Sequence, residues 1–89
     1  MQNQTITISN KLGLHARAAA QLAKTASRFE SIITINTSDK EIDAKSIMQV
    51  MMLAATYDSQ INIKCNGNDE LEALTAITTL INLKFGEFE

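Results

Sequence analysis

Four short stretches of this chain alternate apolar and polar residues with a period of two, and each has one apolar side only. They are Thr5-Ile6-Thr7-Ile8, Ile33 and Ile35 about Thr34, Glu41-Ile42-Asp43-Ala44, and Ile61-Asn62-Ile63-Lys64-Cys65. A period of two marks a strand with one face in the core and one in water. Parallel strands, covered on both faces, read as continuous apolar runs instead. The pattern therefore selects an antiparallel sheet covered on one side. Helical periods fill the gaps. Over 16–29, Ala19, Leu22, Ala23, Ala26 and Phe29 share a face opposite Gln21, Thr25 and Arg28. Ser46 opens a short apolar helix reaching Leu53 or Ala54. Asp69 is expected to cap a long helix with Leu71, Leu74, Ile77, Leu80, Ile81 and Phe85 inward. Turn signals stand at 10–13, 37–40 and 66–68. The order is β-α-β-β-α-β-α. It predicts an α+β, two-layer open-faced sandwich with the helices on the face of Ile6, Ile33, Ile35, Ile61 and Ile63.

A length of 89 residues fits one domain, 1–89. With 45% hydrophobic and 20% charged residues, the composition is globular and argues against disorder. A single cysteine, Cys65, excludes an internal disulfide, and a single histidine, His15, excludes a His-rich metal site. The longest apolar run, 50–55, is far shorter than the ~20 residues that span a bilayer. The opening Met-Gln-Asn-Gln has neither the basic start nor the apolar run of a signal peptide. A cytoplasmic protein without membrane insertion is expected. Aromatic residues are 4% and no strand carries a stacking pair, which makes a nucleic-acid-binding domain a poor fit. The net charge of −2 is unevenly spread. Residues 1–29 hold Lys11, Arg17, Lys24 and Arg28 and no acid, while all ten acids follow. Such a local positive field suits an anion or an acidic partner surface, although chance clustering of surface charge produces the same count.

The histidine sits in Gly13-Leu14-His15-Ala16-Arg17, where a turn becomes a helix. The first N–H groups of a helix have no partner inside it, and the helix dipole adds partial positive charge there. A phosphoryl group at that point meets donors already aimed at it. Arg17 adds a fork that can bind two phosphate oxygens. Histidine is one of the side chains that carry covalent intermediates. The plain structural alternative is a surface N-cap followed by a solvated arginine. Beside His15, Ala16 and Ala20 make a small, flat face with Lys24 further along, which leaves room for a docking partner.

Between Ile47 and Ala55 only Gln49 is polar. A two-layer domain cannot cover such a helix on all sides. Val50 and Leu53 share an inward face, so Ile47, Met48, Met51 and Met52 cannot all be buried. Flexible, polarisable methionines suit a surface that meets several partners, and a homodimer contact or gap-filling in the core are the alternatives. Ser46 and Gln49 match the S-x-x-Q capping box, a sufficient structural reason for the serine. A phosphate on Ser46 would be tolerated at a helix start and would repel an acidic partner.

Those two motifs, Gly13-Leu14-His15-Ala16-Arg17 and Lys45-Ser46-Ile47-Met48 with its Met-rich continuation, resemble the HPr family of histidine-containing phosphocarriers of the bacterial sugar phosphotransferase system. The resemblance covers essentially the whole chain. It implies strand order 1-4-2-3 with three helices on one face. It implies that His15 accepts a phosphoryl group from enzyme I, charged by phosphoenolpyruvate, and passes it to an enzyme IIA domain. Arg17 would steady the phosphoryl oxygens. Partners would dock on Ala16, Ala20, Lys24, Ile47, Met48 and Met51. Ser46 would be a regulatory site for an ATP-dependent HPr kinase/phosphorylase where the host has one. The chain would be a covalent carrier, not a turnover enzyme, with no cofactor and no metal, and a monomer by default. Where many members carry proline this chain has Ala18, which restores an N–H in the first turn. Ser27 and Gln49 stand where many members carry Lys and Gly or Lys. The alternatives are a nitrogen-related regulatory paralogue and a non-catalytic interaction module.

Overall fold

The structure is a computed structural model that describes residues 1–53 and 55–86. β1 (Gln2–Thr7) leads into α1 (Ala16–Ala26). β2 (Ile32–Asn36) and β3 (Glu41–Asp43) form a hairpin, closed by the Thr37 N–H donating to the Lys40 carbonyl at 2.9 Å. α2 (Ile47–Met52), β4 (Gln60–Asn66) and α3 (Glu70–Asn82) follow, and a 3-10 turn (Lys84–Gly86) ends the described chain. The sheet is antiparallel throughout in the order β1-β4-β2-β3. α3 packs on β1 and β4, α2 on β3, and α1 on both other helices.

The strand alternation decides which face is dry. Ile6, Ile33, Ile35, Ile42, Ile61, Ile63 and Cys65 are buried beneath Leu22, Ala26, Val50, Leu74, Ile77 and Ile81 of the helices. The other face stays wet and polar. There the Asn62 side-chain amide donates to the Thr5 hydroxyl at 3.2 Å, and the Asn36 amide donates to the Asn62 carbonyl at 3.4 Å.

Several expected details differ. α1 ends at Ala26, and Phe29 lies beyond it, half-buried against the core. α2 ends at Met52 with Leu53 at its C-cap; Ala54, the other expected end, and 87–89 lie outside the described residues. Asp69 takes the N-cap position of α3, but its side chain makes no cap bond. Its carboxylate accepts instead from the Glu30 and Ser31 N–H groups, at 2.9 and 3.0 Å, and from the Ser31 hydroxyl. Leu71 is 58% exposed, because the buried stripe of α3 runs through Ala73, Leu74, Ile77, Thr78 and Ile81. Phe85 is buried, but after the helix has ended: Lys84 and Phe85 have φ of +57° and +56°, which turns the chain back onto the core. Among the described residues, no helix is long and apolar enough to cross a membrane.

Candidate functional site

The loop from β1 to α1 is pinned at each step. The Ile8 N–H donates to the Ser59 carbonyl at 2.9 Å, and the Asp58 N–H returns to the Ile8 carbonyl at 2.8 Å. Asn10, fully buried, donates its side-chain amide to the Gly13 carbonyl at 2.8 Å, while the Gly13 N–H donates to the Asn10 carbonyl at 3.1 Å. Gly13 has φ +66°, and a Cβ there would stand 2.6 Å from the Ala55 carbonyl oxygen. The next N–H, of Leu14, donates to that same carbonyl at 2.9 Å, and the Leu14 side chain is buried. The residue after this anchor is His15.

His15 is the N-cap of α1, with extended backbone, and its carbonyl accepts the Ala19 N–H at 2.8 Å. Its side chain makes no cap hydrogen bond, and the ring is half-buried. The first turn of α1 carries no acid of its own, which suits an anion at the helix start. Arg17 is exposed two residues on. Sequence reasoning placed the turn but not Asn10 as its buried brace. The signal was present, since Asn is favoured at the first position of a β-turn.

The other anticipated residues fall on two neighbouring helices. Ala16 and Lys24 are exposed and Ala20 half-buried, opposite the buried Ala18, Ala19, Leu22, Ala23 and Ala26. On α2, Val50 and Leu53 are buried, while Ile47, Met48, Met51 and Met52 are 46–72% exposed and line a shallow apolar depression. Lys45, in the second motif, donates from Nζ to the Phe29 carbonyl at 2.7 Å and ties the approach to α2 to the segment after α1. The Lys40 ammonium donates to the Met52 carbonyl at 3.0 Å at the other end of α2.

The capping box forms only in half. The Ser46 hydroxyl accepts the Gln49 N–H at 3.2 Å. The Gln49 side-chain oxygen does not reach back to the Ser46 N–H; it accepts from the Asp43 N–H at 2.9 Å. The Ser46 N–H already donates to the Asp43 carbonyl at 3.1 Å, which frees Gln49 to bond the end of β3.

Residues 2–82 match the family model described as the PTS HPr component phosphorylation site. The chain belongs to the HPr family. It is 48% identical, over all 89 residues and the full length of the relative, to the phosphocarrier protein HPr of Neisseria meningitidis serogroup B. The crystal structure of HPr-C-His from Thermoanaerobacter tengcongensis matches over all of both chains, with a TM-score of 0.96 and 44% identity. A crystal structure of an HPr dimer from the same organism, also 44% identical, covers 98% of this chain and all of its own at a TM-score of 0.76. The sandwich, its strand order and its three helices are those of the HPr family.

Proposed function

We propose that this protein is the mobile phosphoryl carrier of a phosphotransferase relay, with His15 as the group that is charged and discharged. The observation that carries the reading is the placing of His15: at the start of α1, behind a rigid loop, with its ring outside the capping pattern and no acid in the first turn. In the accepting step a ring nitrogen of His15, Nδ1 by the family resemblance, donates its lone pair to phosphorus. The bond from phosphorus to the nitrogen of the donor phosphohistidine on enzyme I breaks, and its electron pair stays with that nitrogen. In the donating step an acceptor histidine of an enzyme IIA domain attacks the same phosphorus and His15 is restored. The first-turn N–H groups and the Arg17 fork hold the oxygens as negative charge shifts. The carrier itself turns nothing over and needs no metal or cofactor. It works as a single copy in the cytoplasm.

Both partners would dock on Ala16, Ala20, Lys24, Ile47, Met48 and Met51. The exposure of Ala16 and Lys24 on α1 and of Ile47, Met48 and Met51 on α2, which packs against α1, with Ala20 half-buried, supports that reading. Ser46 would be the regulatory site. A phosphate from ATP on its hydroxyl would sit at a helix start without unfolding it and place charge next to Ile47 and Met48.

Intact mass after incubation with enzyme I, magnesium and phosphoenolpyruvate tests the proposal. One acid-labile phosphoryl group on the wild type and none on His15→Ala is expected. No gain with an enzyme I that charges another carrier would leave the chain an interaction module.

A further inference from the structure

Gly13 is the loosest joint in the loop before His15. Glycine takes positive and negative φ about equally, so its own chemistry does not hold it at +66°. Asn10 supplies the hold. Its main-chain carbonyl accepts the Gly13 N–H at 3.1 Å, and its side-chain amide donates to the Gly13 carbonyl at 2.8 Å. One residue thus grips both peptide groups that flank the Gly13 Cα. The second of these groups is gripped from its other side as well, because its N–H, that of Leu14, donates to the Ala55 carbonyl at 2.9 Å. In a trans peptide the C=O and N–H point in opposite directions. Bonds at both ends stop the plane from turning about the chain, the motion that a glycine would otherwise allow.

Burial strengthens the grip. Asn10 is fully enclosed and Gly13 is buried, so water cannot take over the bond between them. Among the described residues, the other buried polar residues are Ser31 and Thr78. Both hydroxyls serve α3: Ser31 bonds Asp69 at its start, and Thr78 bonds the Leu74 carbonyl at 2.9 Å. Neither belongs to the segment that carries His15.

We infer that Asn10 is a positioning residue for phosphoryl transfer: by locking the 13–14 peptide it fixes where the His15 ring stands relative to the incoming phosphorus. The inference rests on the carrier reading above. Through these bonds Asn10 acts on the main chain of Gly13 and Leu14, and His15 is the next residue. Attack on phosphorus needs the ring nitrogen close and aligned, and a misplacement of about 1 Å can slow such a step about a hundredfold. The docking residues proposed on α1 and α2 lie outside this loop. Loosening it should slow transfer within the complex and leave the partner's approach unchanged.

Rapid-quench transfer from phosphorylated enzyme I, over a range of its concentrations, tests this on wild type, Asn10→Ala and Ser31→Ala. The last removes a buried hydrogen bond elsewhere. At a temperature where circular dichroism shows all three folded, Asn10→Ala should have a maximal transfer rate at least about tenfold lower, with an unchanged half-saturating concentration. Ser31→Ala should match the wild type in both. Amide hydrogen exchange needs no partner: the Leu14 N–H should exchange at least about fivefold faster in Asn10→Ala and no faster in Ser31→Ala. A higher half-saturating concentration with an unchanged maximal rate overturns the inference. So does an equal fall in Ser31→Ala, which would be a general effect of lost stability, or an unchanged Leu14 amide, since the peptide would then be held without Asn10. A wild type that takes no phosphoryl group overturns the carrier reading and this inference with it; a charged wild type beside an equally fast Asn10→Ala overturns the inference alone. If Asn10→Ala does not fold, Asn10→Ser takes its place with the same expected result, because its hydroxyl can pair within the loop but is one bond too short to replace the amide at the Gly13 carbonyl.

Discussion

Gly13 combines φ +66° with a backbone approach that leaves no space for a side chain: a Cβ would lie 2.6 Å from the Ala55 carbonyl oxygen and 2.9 Å from the Thr56 Cα. Both contacts are with backbone, so a rotamer change cannot relieve them. Gly13→Ala is expected to lose about 1–3 kcal/mol of stability through left-handed strain and displacement of this loop. Urea unfolding midpoints would measure it. Because Leu14 and His15 follow directly, the same variant should accept phosphate from enzyme I more slowly even when fully folded. Unchanged stability and rate would mean that the loop has slack. The sequence shows a glycine before a histidine. The reason for the glycine stands 42 residues downstream in a segment with no motif, so spacing alone could not reveal it. Asn10 is similar: its role depends on burial, which a turn signal does not report.

At the scale of elements, period is a better guide than end chemistry, although it puts the exposed Leu71 on the inner face of α3. The inward faces of the strands and the division of α2 into Val50 and Leu53 inside, Ile47 and Met48 outside, follow from spacing. By spacing, Asp69 and Gln49 are helix-capping residues, because such residues cap helices locally. Each instead bonds another element: Asp69 bonds Glu30 and Ser31 before β2, and Gln49 bonds Asp43 of β3. Gly67 shows how tight the first junction is, since a Cβ there would stand 2.7 Å from the Ser31 Cα and from its hydroxyl. The Ser31 hydroxyl, then the Glu30 N–H, hold the Asp69 carboxyl below its ordinary value. The unfolded chain keeps a carboxyl near ~3.9. With the folded value lower, the contribution is complete above the unfolded value and is lost as pH falls through the folded one. Asp69→Asn should lower the thermal midpoint at neutral pH and narrow its gap from the wild type as the pH is taken below ~4. A constant gap across that range would place the effect of the variant elsewhere.

Across the whole molecule, charge is sorted by element. α1 presents Arg17 and Lys24 to solvent and carries no acid; α2 carries no charge at all. Among the described residues, the acids stand on β3, at the start of α3 and in the connecting turns. On the proposed docking reading, an acidic partner would be drawn toward the helix that begins at His15, and the apolar surface of α2 packed beside that helix would supply the contact. Attraction of this kind acts on encounter and is screened by salt. Lys24 stands nine residues along the chain from His15, about 13 Å at helical rise, too far to touch a phosphoryl group on the ring. Lys24→Glu should therefore lower the second-order rate of phosphoryl acceptance from enzyme I by about tenfold at low salt and flatten its dependence on ionic strength. The rate at saturating enzyme I should not change. Rapid-quench measurements over a range of enzyme I and salt concentrations separate the two. If the saturated rate fell as far as the second-order rate, Lys24 would be acting on the bound transition state, and the charge on α1 would belong to the transfer step and not to the approach.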